Sequence, residues 1–391
     1  MGDEVRLRAL IDDVPHPHGD REIAGLSSDS RLVTDHGLFF ALAGSKARGG
    51  DFIQDALQRG ASVIVGEEPA PVGLPASVLY LQLDDARGAL AKAASRFYPR
   101  QPETIVAVTG TAGKSSVADF TRQIFSQAGY RAASLGTIGI TRDDRIEYGA
   151  LTTPDPISLH QRLQALHDEG ITHLAMEASS HGLDQRRLDG VRLKAAAFTN
   201  LGHDHLDYHG TREAYLTAKL RLFDSLLPKG SPAVVNADCE DAAQVIETAR
   251  QHGLEIVSVG RAGQSLTLLS AQRIAFDHVL LVDYKGQHYD VTLPLVGEFQ
   301  ISNALVAAAL ALATGMKAQN VFDALASLRG VKGRLERVGV SHDGLIIIDY
   351  AHKPDALKAV LETLRVFAEG RLICVFGCGG DRDKEIGRAH V

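Results

Sequence analysis

Thr104-Ile105-Val106-Ala107-Val108-Thr109-Gly110-Thr111-Ala112-Gly113-Lys114-Ser115-Ser116 is the stretch that decides the fold. The β-branched run 104–108 predicts a buried strand, and the two glycines predict a loop. Val117, Phe120, Ile124 and Phe125 then form the apolar stripe of a helix. Strand, Gly-Lys-Ser loop and helix are the parts of a phosphate cradle. Backbone N–H groups and the helix N-terminus face the anion, the lysine neutralises its charge, and a serine hydroxyl reaches Mg²⁺. The generic motif opens with glycine where this chain has Val108, so the loop is a variant, Gly-x-x-Gly-Lys-Ser. Alone it is a weak signal, with a chance loop as the alternative.

Working outward, further strands are expected at 173–177, 195–199, 233–236 and 255–259, separated by helical segments. That alternation predicts an α/β fold with a central, mostly parallel sheet of P-loop type. Ligands of such sheets bind beyond the carboxyl ends of the strands. Glu177, Asn200 and Asn236 stand at those ends and should point toward Lys114. Residues 265–295 read as extra strands and 298–314 as a helix. Upstream, residues 1–100 read as a smaller α/β domain closed by Pro99-Arg100-Gln101-Pro102. Downstream, a third unit begins at 333. Strand 345–349, helix 354–367 and strand 371–376 compose one βαβ unit there, an incomplete Rossmann-like domain.

Composition narrows the function classes. The 391 residues suffice for two or three domains. A net charge of −7 argues against general nucleic-acid binding. The N-terminus is too charged for a signal peptide, and the longest apolar run, 304–313, is too short to cross a bilayer. Cys239, Cys374 and Cys378 form no CxxC pair and no disulfide framework. They read as core residues of a protein from the reducing cytoplasm.

Four clusters carry chemistry. Glu177, at a strand end near the Gly-Lys-Ser loop, suits a Mg²⁺ ligand, while Ser179 or Ser180 equally suits a helix N-cap. His203-Asp204-His205-Leu206-Asp207-Tyr208-His209 is too dense in imidazole and carboxylate to be structural filler. Its spacing lacks the zinc pattern, so metal–phosphate chemistry is the preferred reading over a solvated loop. Thr211 can cap the next helix, on which Lys219 reads locally as a solvent-facing lysine. Asp349, at a strand end, suits either ribose hydroxyls or a plain turn.

Together these motifs resemble one family, the Mur ligases of bacterial cell-wall synthesis, and within it the members that add the third residue of the peptide. The resemblance runs from about 26 to 384. It includes Ser28-Asp29-Ser30-Arg31, the Gly-Lys-Ser loop, Leu151-Thr152-Thr153-Pro154, 177–185, 198–210, Ala218-Lys219, 297–303, Gly333-Arg334-Leu335-Glu336, 349–354 and 377–383. It implies three domains: 1–100 for the uridine nucleotide, 101–332 for ATP and 333–384 for the incoming amino acid. The implied reaction joins a diamino acid to the D-Glu carboxylate of UDP-MurNAc-L-Ala-D-Glu through an acyl phosphate, with ATP as co-substrate and Mg²⁺ as cofactor. Meso-diaminopimelate is the commoner amino acid in such sequences, with lysine left open. No nucleic acid, no membrane insertion and a monomer are the expected partnership.

Residue roles follow by matching position. Gly110, Thr111, Ala112, Gly113, Lys114, Ser115 and Ser116 should cradle ATP, with Asn303, Arg334, Asp349 and His352 completing its site. Ser115, Glu177, His205 and a carbamylated Lys219 should hold Mg²⁺, and Lys114, Lys219 and His205 should carry catalysis. Ser28, Ser30, Thr152, Thr153, Ser179, Gln185 and Arg187 should contact the UDP-substrate, and Arg382 the diamino acid.

The chain also departs from the family. Ala112 stands where Asn is common, Ser115-Ser116 replaces Thr-Thr, and His203 replaces Arg. After Lys384 the family continues into an Asp-Asn-Pro-Arg segment that selects the amino acid. Here the chain instead runs Glu385-Ile386-Gly387-Arg388-Ala389-His390-Val391, which reads as an artefactual tail. Two other readings therefore stand beside the ligase: a nucleotide-binding fragment without ligase activity, and a folylpolyglutamate synthetase-like ligase. The signature at 28–31 and Thr152-Thr153-Pro154 argue against the latter.

Overall fold

The computed structural model describes residues 5–44, 48–274, 276–341, 344–351, 354–368 and 370–377. The chain forms two compact units. The first takes in residues up to Glu103 together with Thr153–Thr172 and Ser179–Arg192; the second takes in the rest. Two stretches from within the expected 101–332 domain therefore cluster with the first unit.

The first unit is built on a parallel four-stranded sheet, β1 (Gly25–Ser27), β2 (Gly37–Phe40), β3 (Ala61–Gly66) and β4 (Leu79–Gln82), in that order. Helices α1 (Ile53–Gln58) and α2 (Ala86–Phe97) connect and cover it. The side chain of Asp85 caps α2 by accepting the Gly88 N–H at 2.9 Å. Leu38, Phe40, Val63 and Val65 face one core with Leu90 and Ala93 of α2; Phe39 and Ile64 face the other with Ile53 and Ala56 of α1. Alternate strand residues thus serve opposite faces, as the pleat requires. Gln101 closes this unit. Its buried side-chain amide donates to Gly190 O and accepts from Arg192 N–H, both at 3.0 Å.

The second unit contains an eleven-stranded sheet. Its strands are β5 (Thr104–Thr109), β6 (Ala132–Gly136), β7 (Gly139–Thr141), β8 (Ile146–Tyr148), β9 (His173–Glu177), β10 (Leu193–Phe198), β11 (Pro232–Asn236), β12 (Glu255–Gly260), β13 (Leu266–Ile274), β14 (Asp277–Tyr284) and β15 (Gln287–Leu293). They lie in the order β8-β7-β6-β9-β5-β10-β11-β12-β13-β14-β15. The pairs from β6 to β13 are parallel and the outer pairs antiparallel. Sequence patterning explains the difference. Central strands such as β5 and β9 are buried almost throughout and read as continuous apolar runs. In β15, Tyr289, Val291 and Leu293 alternate with exposed residues, the pattern of a strand with one wet face.

Helices α3 (Lys114–Gln127), α4 (Arg212–Arg221), α5 (Ala242–Gln251), α6 (Phe299–Ala313) and α7 (Ala318–Leu325) connect or follow these strands. Val117, Phe120 and Ile124 of α3 share a core with Val106 and Val108 of β5 and with the alanine-rich face of α6. Small side chains on α6 allow it to bury nearly its whole circumference.

The expected βαβ unit near the C-terminus is not what forms. Strand β16 (Glu336–Ser341), which the sequence reading missed, pairs antiparallel with β17 (Gly344–Ile348), and α8 (Pro354–Arg365) follows. The stretch 371–376 forms no strand: a strand needs a neighbour for its backbone groups, and Ile373 and Val375 lie exposed instead. Cys374, in the same stretch, is likewise exposed and Cys239 only half-buried, so neither is the core residue expected; Cys378 lies outside the described residues.

Candidate active site

The loop between β5 and α3 is held in shape by the segment leaving β10. Thr111 N–H donates to Asn200 O at 2.9 Å. Ala112 N–H donates to Asn200 Oδ1 at 3.0 Å, and Thr199 Oγ1 donates to Ala112 O at 2.7 Å. Asn236 Nδ2, from the end of β11, donates to Thr199 O at 2.9 Å. Asn200 therefore does face this loop, as its position predicted, while Asn236 reaches it only through Thr199. Glycine is required twice. Gly110 has φ +147° and a Cβ there would overlap Thr199 Oγ1; Gly113 has φ +86° and a Cβ would overlap Asn303 Oδ1. That second contact also places Asn303, on α6, against the loop.

Two lysines converge on one carbonyl. Lys114 Nζ donates to Gly110 O at 2.8 Å and Thr111 O at 3.0 Å, while Lys219 Nζ donates to Gly110 O at 2.8 Å. Lys219 is only 1% exposed and lies 4.2 Å from the centre of the Tyr215 ring. The local helix pattern pointed this lysine to solvent. The structure buries it because Tyr215, one turn earlier on α4, shares its face, and that face meets the loop. Burial and the nearby Lys114 charge hold the Lys219 amine well below the usual lysine range, with Asp204 opposing. Burial likewise lowers Lys114, against Glu177 and Asp204, and Arg334 lowers it further. Burial raises Tyr215 to about 12, so its hydroxyl stays protonated; it lies 3.2 Å from Thr111 Oγ1.

Glu177 ends β9 and is 2% exposed. Oε1 accepts Thr137 N–H at 2.8 Å, and Thr137 Oγ1 donates to Oε2 at 3.2 Å. The Thr137 hydroxyl is also 3.0 Å from Thr152 Oγ1. Sequence reasoning missed Thr137 as the partner of Glu177; its signal was the Gly136-Thr137 break directly after a buried strand. Nearby, His205 adopts φ +54°, with Nε2 3.5 Å from Asp204 Oδ2 and its ring 6.1 Å from that of Tyr215. Among the described residues no three His, Cys, Asp or Glu side chains converge as metal ligands.

A second cluster belongs to the first unit. Thr153 Oγ1 accepts from Ser179 N–H at 3.1 Å and from Ser179 Oγ at 3.0 Å. Arg187 Nη1 donates to Thr153 O at 2.7 Å and Nη2 to Gln185 Oε1 at 2.7 Å. Four expected substrate contacts, Thr153, Ser179, Gln185 and Arg187, thus form one network. Ser179 is also the N-cap, accepting Gly182 N–H at 3.1 Å, so that alternative is realised together with the strand-end carboxylate of Glu177. In the 28–31 turn, Ser30 bonds Asp55 and helps hold its carboxyl low, after which Arg59 contributes.

Each Asp349 oxygen accepts one backbone N–H and keeps a further lone pair: Oδ2 accepts Leu335 N–H at 2.8 Å and Oδ1 accepts Ala351 N–H at 2.7 Å. Its turn reading is therefore realised. Arg334 lies over the Tyr350 ring at 5.3 Å. The expected roles of His352 and Arg382 fall outside the described residues. No helix among the described residues is long and apolar enough to cross a membrane.

Known proteins resemble this chain over most of its length. Residues 22–98 match the Mur ligase family catalytic domain, 108–311 the Mur ligase middle domain and 333–391 the Mur ligase glutamate ligase domain. The UDP-N-acetylmuramoyl-L-alanyl-D-glutamate--2,6-diaminopimelate ligase of Rhizobium meliloti (strain 1021) is 56% identical over 364 residues, covering 93% of this chain and 74% of that protein. A solved structure of a UDP-N-acetylmuramoyl-L-alanyl-D-glutamate--2,6-diaminopimelate ligase superposes with a TM-score of 0.83 at 30% identity, over 99% of this chain and 80% of that one. The apo form of L. casei FPGS shares the fold alone, with a TM-score of 0.59 at 18% identity over 73% of this chain and 76% of its own.

Proposed function

The chain belongs to the Mur ligase family, and from that premise we propose that it joins meso-diaminopimelate to the D-Glu carboxylate of UDP-MurNAc-L-Ala-D-Glu at the expense of ATP. One observation carries the reading: Lys114 and the buried Lys219 meet at Gly110 O, at the mouth of a glycine-gated phosphate loop. We divide the chain accordingly, with 1–100 for the UDP-substrate, 101–332 for ATP and 333–384 for the amino acid. The protein acts as a cytoplasmic monomer.

A carboxylate oxygen of D-Glu attacks the γ-phosphorus, and the β–γ bridging oxygen leaves with ADP. The amine of the diamino acid then attacks the acyl carbon. The tetrahedral adduct collapses, the C–O bond to phosphate breaks, and phosphate leaves carrying the oxygen that was the carboxylate's. Lys114 and the α3 N-terminus hold the β- and γ-phosphates, with Lys114 releasing its present bonds to Gly110 O and Thr111 O. Asn303, Arg334, Asp349 and His352 bind the rest of ATP. Thr152, Thr153, Ser179, Gln185 and Arg187 orient the muramyl-dipeptide, Ser28 and Ser30 the uridine, and Arg382 the incoming amino acid. Alignment and charge neutralisation supply the rate.

Lys219 acts as a carbamate. Burial and the neighbouring Lys114 charge hold its pKa well below the usual lysine range, which favours the neutral amine. The neutral nitrogen adds to CO₂ and loses a proton, so the lysine side chain ends in an anionic oxygen donor. With this carbamate, Ser115, the Glu177 carboxylate and His205 would hold Mg²⁺, a mostly oxygen donor set of the kind a hard cation prefers. Mg²⁺ would supply neutralisation of phosphate charge when bound. The test is product formation. The UDP-linked tripeptide is expected by mass spectrometry only when ATP, Mg²⁺, UDP-MurNAc-L-Ala-D-Glu and meso-diaminopimelate are all present. Nucleotide binding without amide formation would favour the binding-fragment reading.

A further inference from the structure

The helix that opens with the phosphate loop also holds the segment leading to Arg334. Gln123, two and a half turns into α3, is buried, and its side-chain amide reads both backbone groups of one distant residue. Nε2 donates to Arg329 O at 3.0 Å and Oε1 accepts Arg329 N–H at 2.8 Å. The amide is itself fixed, since Nε2 also donates to Asp119 Oδ2 at 2.8 Å, and Asp119 is paired with Arg122. One turn further, Gln127 Oε1 accepts from Ser327 Oγ at 2.5 Å.

The segment 327–332 forms no helix or strand of its own and borders a cavity of about 510 Å³ lined in part by Arg122, Gln123, Asp143 and Lys332. Leu328 and Val331 are buried, but apolar contact is non-directional and does not fix which residue sits where. The amide pair does. From Arg329 the chain reaches the nucleotide residues through a short series of bonds. Arg334 N–H donates to Val331 O, Tyr350 N–H donates to Gly333 O, and Leu335 N–H donates to Asp349 Oδ2, each at 2.8 Å. Arg334, Asp349 and Tyr350 therefore hang as one turn from a point that Gln123 clamps.

We propose that Gln123 is a positioning residue: it fixes the register of 327–335 on α3 and so sets where Arg334 and Asp349 stand relative to Lys114. The proposal rests on the nucleotide site read above. Gln101 makes a related side-chain-to-backbone pairing in the first unit, bonding Gly190 O and Arg192 N–H of two different residues.

Gln123→Met keeps the length of the side chain and removes its polar atoms. Hydrogen exchange of the full chain should be about tenfold faster across 327–335, and affinity for Mg²⁺–ADP should fall roughly three- to thirtyfold, with affinity for UDP-MurNAc-L-Ala-D-Glu unchanged. A merely structural role would lower the melting temperature and leave that split unmoved. Unchanged exchange at 327–335, or faster exchange with unchanged ADP affinity, would overturn the proposal. If the wild-type chain binds no ADP, the nucleotide reading fails, and the proposal that rests on it falls too; the exchange result then decides only whether the clamp exists. Should Gln123→Met not fold, Gln127→Ala on the exposed rim is read in the same two ways. Faster exchange with weaker ADP binding supports the clamp, and no change in either refutes it.

Discussion

Lys219→Ala is expected to abolish ligase turnover, lowering it by about 10³-fold or more, and added bicarbonate is expected not to restore it. The amine sits 1% exposed, bonded to Gly110 O and 4.2 Å from the centre of the Tyr215 ring. A lysine kept for its charge would be placed beside a carboxylate. This one bonds a carbonyl and is buried near a second lysine, which together outweigh the Asp204 charge and favour the neutral amine. The neutral amine is the form that adds CO₂. Alanine has no nitrogen on which a carbamate can form, so bicarbonate has nothing to rebuild. Steady-state turnover, with circular dichroism to confirm folding, checks the expectation. Normal turnover in a folded variant would end the carbamate assignment.

The second large effect is expected at the loop itself. Gly110→Ala should weaken ADP binding by about 100-fold or more, because a misplacement near 1 Å at a phosphate site costs that much. Two independent obstacles meet at this residue. Its φ of +147° is one that L side chains rarely adopt, and its Cβ would overlap Thr199 Oγ1, the hydroxyl that holds Ala112 O. Relieving only the overlap, in Gly110→Ala with Thr199→Ala, should leave binding poor. Gly129→Ala is the control. Gly129 also has a positive φ, +88°, but nothing lies within 4 Å, so strain there should cost stability and spare ADP affinity. Equal ADP affinities for wild type and Gly110→Ala would contradict the loop's role.

Much of the central unit was legible because its signals are local. The run 104–108 became β5, and 173–177 became β9 without a shifted boundary. Thr211 caps α4 as its position suggested, accepting Ala214 N–H at 3.1 Å. The site was less legible where its chemistry depends on distant segments. Nothing within α4 distinguishes Lys219 from a surface lysine; its burial arises from Gly110, more than a hundred residues earlier. Thr137 acquires meaning only once β6 and β9 lie side by side and bring it to Glu177. Near the C-terminus, the apolar run 371–376 looked like a strand, whereas Glu336–Ser341, interrupted by Gly339 at a register shift, did not. Pairing decides strands, and an apolar run alone does not show its partner.

The most direct measurement follows one oxygen. UDP-MurNAc-L-Ala-D-Glu labelled with ¹⁸O in the D-Glu carboxylate is turned over with ATP, Mg²⁺ and meso-diaminopimelate, and the released phosphate is analysed by mass spectrometry. An acyl phosphate intermediate predicts that phosphate carries one labelled oxygen from the carboxylate while ADP carries none. Amide product accompanied by unlabelled phosphate would contradict the account, because the carboxylate would then have been activated by some other route.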